Sequence, residues 1–473
     1  MNTIMAVPTD EIASIKLLSH ACVKITAAKT VILTDPWFFG RVFNNGWGLS
    51  PEPSLDDLKK DLADVTHIWI SHEHPDHLHF PSLKFLCDEV GLANIQVLFQ
   101  ETNSEKVFDV LQKIGYTRFL PLSHLKATTI SESIDIISYG HRHLDSCFGI
   151  RVKGRNWILN INDTELNAND CKIIREKFGK FPILLNQYSI AGFDGIYIDE
   201  NIKYEKEAVI LKMLSHHQYL SDDFTIPFAS LMYFCKSDNS AFNAYRNTIF
   251  DAQKAFDSEG LKLLPLEPQG AALIWDIKKF SSTNVNAINK ESIAFFKNYY
   301  KIEGLKIDVD DEVIEFDVIK QVVEKRIKLW QRRTFNFIMK KMGVLDFWVE
   351  DLKLGIRINF HKMSVEKISA SLETVHIVIN SQPLHFAFST PFGLQSLGVS
   401  GRYRFASQIK KIPMQWKLVR IVSSLANADL FLGWRTLYDS NMIKWAWSRR
   451  KGLLGQIKQQ SRRFLVSDVK SEN

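Results

Sequence analysis

The chain has 473 residues, 45% hydrophobic and 24% charged, with a formal net charge of +6. These ordinary globular values exclude disordered, collagen-like and coiled-coil classes, and the length exceeds what one hydrophobic core supports. No apolar run reaches the roughly 18 to 20 residues that cross a bilayer, the first residues lack a basic segment leading into an apolar one, and five scattered cysteines make no disulfide framework, so a cytoplasmic protein is expected.

In chain order, two strands are expected at Ser14–Ile25 and Thr30–Thr34, joined by the turn Ala27-Ala28-Lys29 and ended by Asp35-Pro36. The loop 36–53 carries Trp37, Phe38, Phe39, Phe43 and Trp47, which read either as a pocket wall or as packing staples. A Ser54-capped helix, Leu55–Leu62, precedes the apolar strand Thr66–Ile70, which runs straight into His72-Glu73-His74-Pro75-Asp76-His77. Helices at Ser82–Val90 and Ser104–Ile114 then alternate with a strand at Asn94–Phe99, a pattern that predicts layered α/β architecture.

Residues Ser131–Asn162 read as strands, with a hairpin turn near Lys153-Gly154-Arg155-Asn156. Helices follow at Asn169–Phe178, Glu205–His216 and Ala241–Ser258, with strands at Ile183–Tyr188 and Thr225–Ala229. Past about residue 275 the texture changes to helices at Ser292–Tyr300 and Glu312–Met342, a β-rich block Asp351–Arg404 and a helical basic end. Two domains are expected, 1–280 catalytic and 281–473 an α+β extension for substrate selection, with Leu384–Gly401 and the tail as a candidate lid. Residues 401–473 hold 15 Lys/Arg against 4 Asp/Glu. With Trp434, Trp445, Trp447 and Phe464 among Arg449, Arg450, Arg462 and Arg463, the tail reads as a solvated basic helix and leaves open an anionic substrate, an acidic partner or a peripheral membrane contact.

Two histidines one residue apart at a strand end place both imidazoles on one metal ion, and Asp76-His77 directly after can turn to a second. Imidazole with carboxylate suits iron, zinc or manganese, and an ion with an open position lowers the pKa of its bound water toward neutrality.

The pattern His-x-His-x-Asp-His after a strand resembles the signature of the metallo-β-lactamase superfamily. His20-Ala21 and Asp35-Pro36-Trp37 look like the first hairpin of the branch that contains lactonases, N-acyl-phosphatidylethanolamine phospholipase D and CMP-N-acetylneuraminate hydroxylase. The resemblance covers roughly residues 14 to 275 and implies an αββα sandwich with this chain's C-terminal α+β extension added. It also implies a third histidine for the first ion and a bridging aspartate downstream, for which His141 and Asp163 are the candidates. The run His141-Arg142-His143-Leu144-Asp145-Ser146-Cys147 is similar to the hydroxylase pattern of His, three residues, Asp, a small hydroxyl residue and Cys.

The candidate ligands are therefore His72, His74, Asp76, His77, His141 and Asp163, and the candidate catalytic residues are Asp76, His143 and Lys236. Lys236 stands where the resemblance expects a last histidine, and a protonated lysine cannot ligate. Three readings follow: two ions completed by Cys235, Asp238 or His217; one tightly held ion; or a lysine that binds substrate or moves a proton.

The hydroxylase resemblance implies a diiron centre that activates O₂ and hydroxylates a substrate, and the basic C-terminal region, read as a lid, predicts that this substrate is small and anionic. The chain lacks a Cys-x-His and Cys-x-x-His pair for a Rieske cluster, so an oxygenase requires an external electron donor. The competing class is zinc- or manganese-dependent hydrolysis of an ester, lactone, amide or phosphodiester; the third is a catalytically idle module of the same fold. No nucleic-acid partner is expected.

Overall fold

A computed structural model of the chain describes residues 11–102, 106–141, 145–192, 195, 199–300, 305–309, 311–427 and 433, without the side chains of His141 and of residues 199–203. The chain divides into two compact units, one of Met1–Phe193, Tyr197–Asp310 and Val399–Gly401, the other of Asp194–Ile196, Asp311–Gly398 and Arg402–Asn473. No helix among the described residues is long and apolar enough to cross a membrane.

The first unit is built on two large sheets. One has the order Ser281–Ser282, Leu273–Asp276, Ile12–Leu17, Val23–Ala27, Thr30–Thr34, His67–Ile70, Gln96–Gln100 and Arg118–Leu122. Its antiparallel pairing turns parallel at Thr30–Thr34, where helices begin to separate the strands. The other runs Ile134–His141, Asp145–Val152, Arg155–Asn162, Phe181–Gln187, Ser221–Phe228 and Lys262–Leu263, antiparallel and then parallel.

Alternation of side chains across each strand explains the layers. Ile15, Ile25, Trp69 and Leu98 of one sheet meet Phe148, Ile158, Leu185 and Ile226 of the other in one buried core. The opposite face of the first sheet carries the helices Leu55–Leu62, Phe80–Asp88 and Lys106–Ile114, through Leu58, Leu83, Leu86 and Leu111. The opposite face of the second carries Ala168–Phe178, through Cys171 and Ile174. This is the αββα sandwich the sequence predicts.

The helices expected from Glu205 and Ser292 begin earlier, at Asp199 and Val285, and four expected elements differ in kind. Ser14–Ile25 is not one strand: Leu18 N and Ser19 N both donate to Cys22 O, reversing the chain at Leu18–Cys22 without glycine or proline. Ala241–Ser258 divides into Ser240–Tyr245, a 3₁₀ turn, and Ile249–Ser258, because Thr248 and Asp251 form a capping box that starts a new helix. Glu312–Met342 divides into Phe316–Gln331 and Asn336–Met342 around the turn at Arg332 and Arg333. The block Asp351–Arg404 is not wholly β: Ser381–Ser389 and Gly393–Ser400 are helices.

The second unit has a five-stranded sheet in the order Ser364–Ile368, Leu354–Asn359, Val344–Val349, Ile377–Ile379 and Tyr403–Phe405. Only Val344–Val349 and Ile377–Ile379 pair parallel among these. Its own core gathers Trp330, Phe347, Ile356, Phe388 and Trp416, and Leu384 sits in that core. The basic aromatic tail from Trp434 onward, including Arg449, Arg450 and Phe464, lies outside the described residues.

Candidate metal centre

The six described donors of the first unit stand past the C-terminal ends of strands, where open α/β sheets bind their ligands. His20 follows Ile12–Leu17, Asp35 follows Thr30–Thr34, and Asp163 follows Arg155–Asn162. The run from Ser71 to His79 joins the strand His67–Ile70 to the helix Phe80–Asp88, which His79 caps through its ring. Within that run His77 N and Leu78 N both donate to His74 O, folding the loop so that His72, Asp76 and His77 turn inward.

Two groups of donors result. His72, His74 and Asp163 bring one ligand atom each within 4.8 Å of one another, and so do His20, Asp76 and His77. In the first, His72 Nε2 is 2.8 Å from His74 Nδ1 and 3.6 Å from Asp163 Oδ2. In the second, Asp76 Oδ2 is 3.2 Å from His77 Nε2 and 3.4 Å from His20 Nε2. The same Asp163 Oδ2 lies 3.7 Å from His77 Nε2, so one carboxylate oxygen touches both groups.

Around the donors lies a supporting layer. Asp35 Oδ2 is 3.1 Å from His77 Nδ1 and Asp35 Oδ1 accepts Ser71 N at 2.7 Å. Ser71 Oγ reaches His72 Nδ1 at 2.9 Å, and Ser146 Oγ donates to Ser71 O. Asp35 holds φ +35°, a conformation favoured by few L-residues. Trp37 and Trp47 place their rings 5.5 and 6.4 Å from His20, and Phe43 stands edge-on 5.8 Å from His74, which stays exposed. The aromatic loop therefore walls the buried His20 group.

The electrostatics suit a cation. Burial drives His72 well below the usual imidazole pKa, reinforced by His77 and His74, which keeps it the neutral base that ligation requires. Burial pushes His77 the same way, yet Asp76, Asp163 and Asp35 outweigh it and raise its pKa. Asp76 is held low although burial opposes this, because His77 and His20 stabilise its charge. Buried His77 Nε2, Asp76 Oδ1 and Asp163 Oδ1 have no hydrogen-bond partner. Orphaned polar atoms at full burial cost about 1–3 kcal/mol each unless something binds them, and a metal ion fits this donor set.

The remaining candidates fall elsewhere. His141 ends its strand opposite Asp145, but its side chain, and all of His143, lie outside the described residues. Lys236 Nζ donates to Val309 O at 2.8 Å, and Cys235 Sγ to Asn45 O at 3.1 Å. His217 Nδ1 meets Thr225 Oγ1 at 2.8 Å. None of these three, nor Asp238, joins either donor group among the described residues. Cys147 is core: burial pushes its thiol up.

Two residues of the centre carried no role in the sequence reading. His20 stood in a segment expected to be continuous strand, and Asp35 in an expected turn; the pairs His20-Ala21 and Asp35-Pro36 were the available signal.

Residues 14–177 match the family model of the beta-lactamase superfamily domain. This region is a metallo-β-lactamase-fold domain. Among curated relatives, the chain is 26% identical over 343 residues to the cytidine monophosphate-N-acetylneuraminic acid hydroxylase of Asterias rubens, covering 62% of this chain and 50% of that one. To the protein of the same name from Xenopus laevis it is 32% identical over 151 residues, 31% of this chain and 25% of that one. The matches thus span from a quarter to a half of these relatives' length. Among solved structures, a metallo hydrolase from Ignicoccus hospitalis aligns at 17% identity and TM-score 0.41 over 56% of this chain and 98% of its own. CmlA, a diiron β-hydroxylase from Streptomyces venezuelae, aligns at 17% identity and TM-score 0.34 over 47% of this chain and 46% of its own.

Proposed function

We propose that this chain is a two-ion metalloenzyme, an iron-dependent oxygenase that hydroxylates a small anionic metabolite with electrons from an external donor. The observation that carries the reading is the single Asp163 oxygen within 3.7 Å of imidazoles from both donor groups, in a domain whose curated relatives are named hydroxylases. His72, His74 and Asp163 would hold one ion, and His20, Asp76 and His77 the other. Bound iron would supply the redox chemistry and a Lewis-acidic open position.

The chain's own residues do the rest. Asp35 and Ser71 fix the ring orientations of His77 and His72, so each imidazole presents Nε2 to the centre. Trp37 and Trp47 shield buried His20 from bulk water and strengthen the charge interactions beside it. The test is metal content and oxygen uptake of protein purified without oxygen. Iron at about two per chain, with substrate-dependent oxygen uptake on adding a reductant, supports the reading. Two zinc ions with ester or phosphodiester cleavage that is indifferent to oxygen would replace it with the hydrolase reading.

A further inference from the structure

Asp163 reaches both donor groups from the end of an irregular strand. The strand Arg155–Asn162 pairs parallel with Phe181–Gln187, and its register shifts between Asn160 and Asn162. Asn162, 1% exposed, takes φ +61° at that irregularity. A bulge of this kind re-aims the following side chain and is frequent beside active sites. Glycine adopts φ of this sign without strain, and asparagine does so at modest cost.

Asparagine brings an amide as well. Its Oδ1 accepts Asp163 N at 3.1 Å, and its Nδ2 donates to Asp35 Oδ2 at 2.5 Å. One neighbour is a donor and the other a carboxylate, so the amide has a single satisfactory orientation. The oxygen of Asp35 that accepts from Asn162 is also the one 3.1 Å from His77 Nδ1. Asn162 therefore fastens the backbone of the carboxylate shared by both groups to the carboxylate that orients a ring of the second group.

We propose that Asn162 is a positioning residue that sets the spacing of the two ions, by clamping Asp163 and the Asp35–His77 pair through one buried amide. The inference rests on the two-ion reading. Its distinctive content is that the amide, and not merely the left-handed backbone, governs affinity. Asn162→Gly keeps the backbone conformation and deletes the amide. Asn162→Asp keeps the shape but sets a second carboxylate against Asp35.

The experiment is a competition titration of the full-length, metal-stripped chain with Zn²⁺ against a chromophoric chelator, alongside thermal unfolding of the same metal-free samples. For Asn162→Gly the expected result is a folded metal-free chain, lowered in melting temperature by the two buried hydrogen bonds it loses, with Zn²⁺ affinity weaker by roughly 10- to 100-fold at one or both sites. Asn162→Asp should instead lower metal-free stability, because two buried carboxylates then face each other. Wild-type affinity in Asn162→Gly overturns the proposal and leaves Asn162 a turn former. Loss of metal-free stability with unchanged affinity overturns it equally. Failure of the wild-type chain to bind Zn²⁺ at all would instead sink the metal reading, and this inference with it.

Discussion

Asp35 Oδ2 stands 3.1 Å from His77 Nδ1, between residues 42 positions apart in the chain, both almost fully buried. A carboxylate on Nδ1 fixes the tautomer and ring angle and leaves Nε2 facing the centre. Asp35→Ala should therefore weaken ion binding by roughly 10- to 100-fold while His77 itself stays in place. Equilibrium metal titration checks this, and wild-type affinity in the variant would show that Asp35 serves only the fold.

His20 belongs to only one of the two donor groups. The expected consequence of His20→Ala is a chain that retains about one ion where wild type holds about two. Elemental analysis after gel filtration reads the ratio, and two retained ions would remove His20 from the ligand set.

His216 is a buried imidazole held by Asn186 Nδ2 at 3.0 Å and Leu166 O at 3.0 Å, and His217 sits beside it against Thr225. Burial lowers both to about 4 from an ordinary value of 6.5. Between those limits the unfolded chain binds more protons than the folded one. The stability these rings contribute is thus complete above about pH 6.5 and is lost as pH falls toward about 4. Each steepens the loss by at most about 1.4 kcal/mol per pH unit. Melting curves of metal-free protein across this window should flatten in His216→Gln, and an unchanged slope would refute the assignment.

Lys236 Nζ donates to Val309 O from a buried position. Lys236→Met should lower stability by about 1.5–3 kcal/mol, the worth of a charged hydrogen bond, and leave the ion count untouched. Denaturant melts and elemental analysis test both halves; a lost ion would return Lys236 to the centre.

What the sequence disclosed follows period and local chemistry. Thr30–Thr34 and Leu55–Leu62 could be read to the residue because a short continuous apolar run and a Ser54 cap are local signals. The run from His72 to His77 stood out because ligating residues at fixed spacing follow a strand. His20 and Asp35 could not be assigned roles, since only the pairing of Thr30–Thr34 with His67–Ile70 brings Asp35 beside His77. The reversal at Leu18–Cys22 was hidden because it uses backbone bonds to Cys22 O and a Ser19 Oγ bond to Trp37 O rather than a turn residue. The division at Arg332 and Arg333 was likewise invisible, as neither glycine nor proline marks it.

If one carboxylate joins two ion-binding groups, Asp163→Ala must lose ions that wild type keeps, and elemental analysis of the two proteins side by side reads this. A folded variant should hold at least one ion fewer than the about two of wild type, because Asp163 Oδ2 lies within 3.7 Å of both His72 and His77. A folded variant with the full wild-type complement would mean that Asp163 joins nothing.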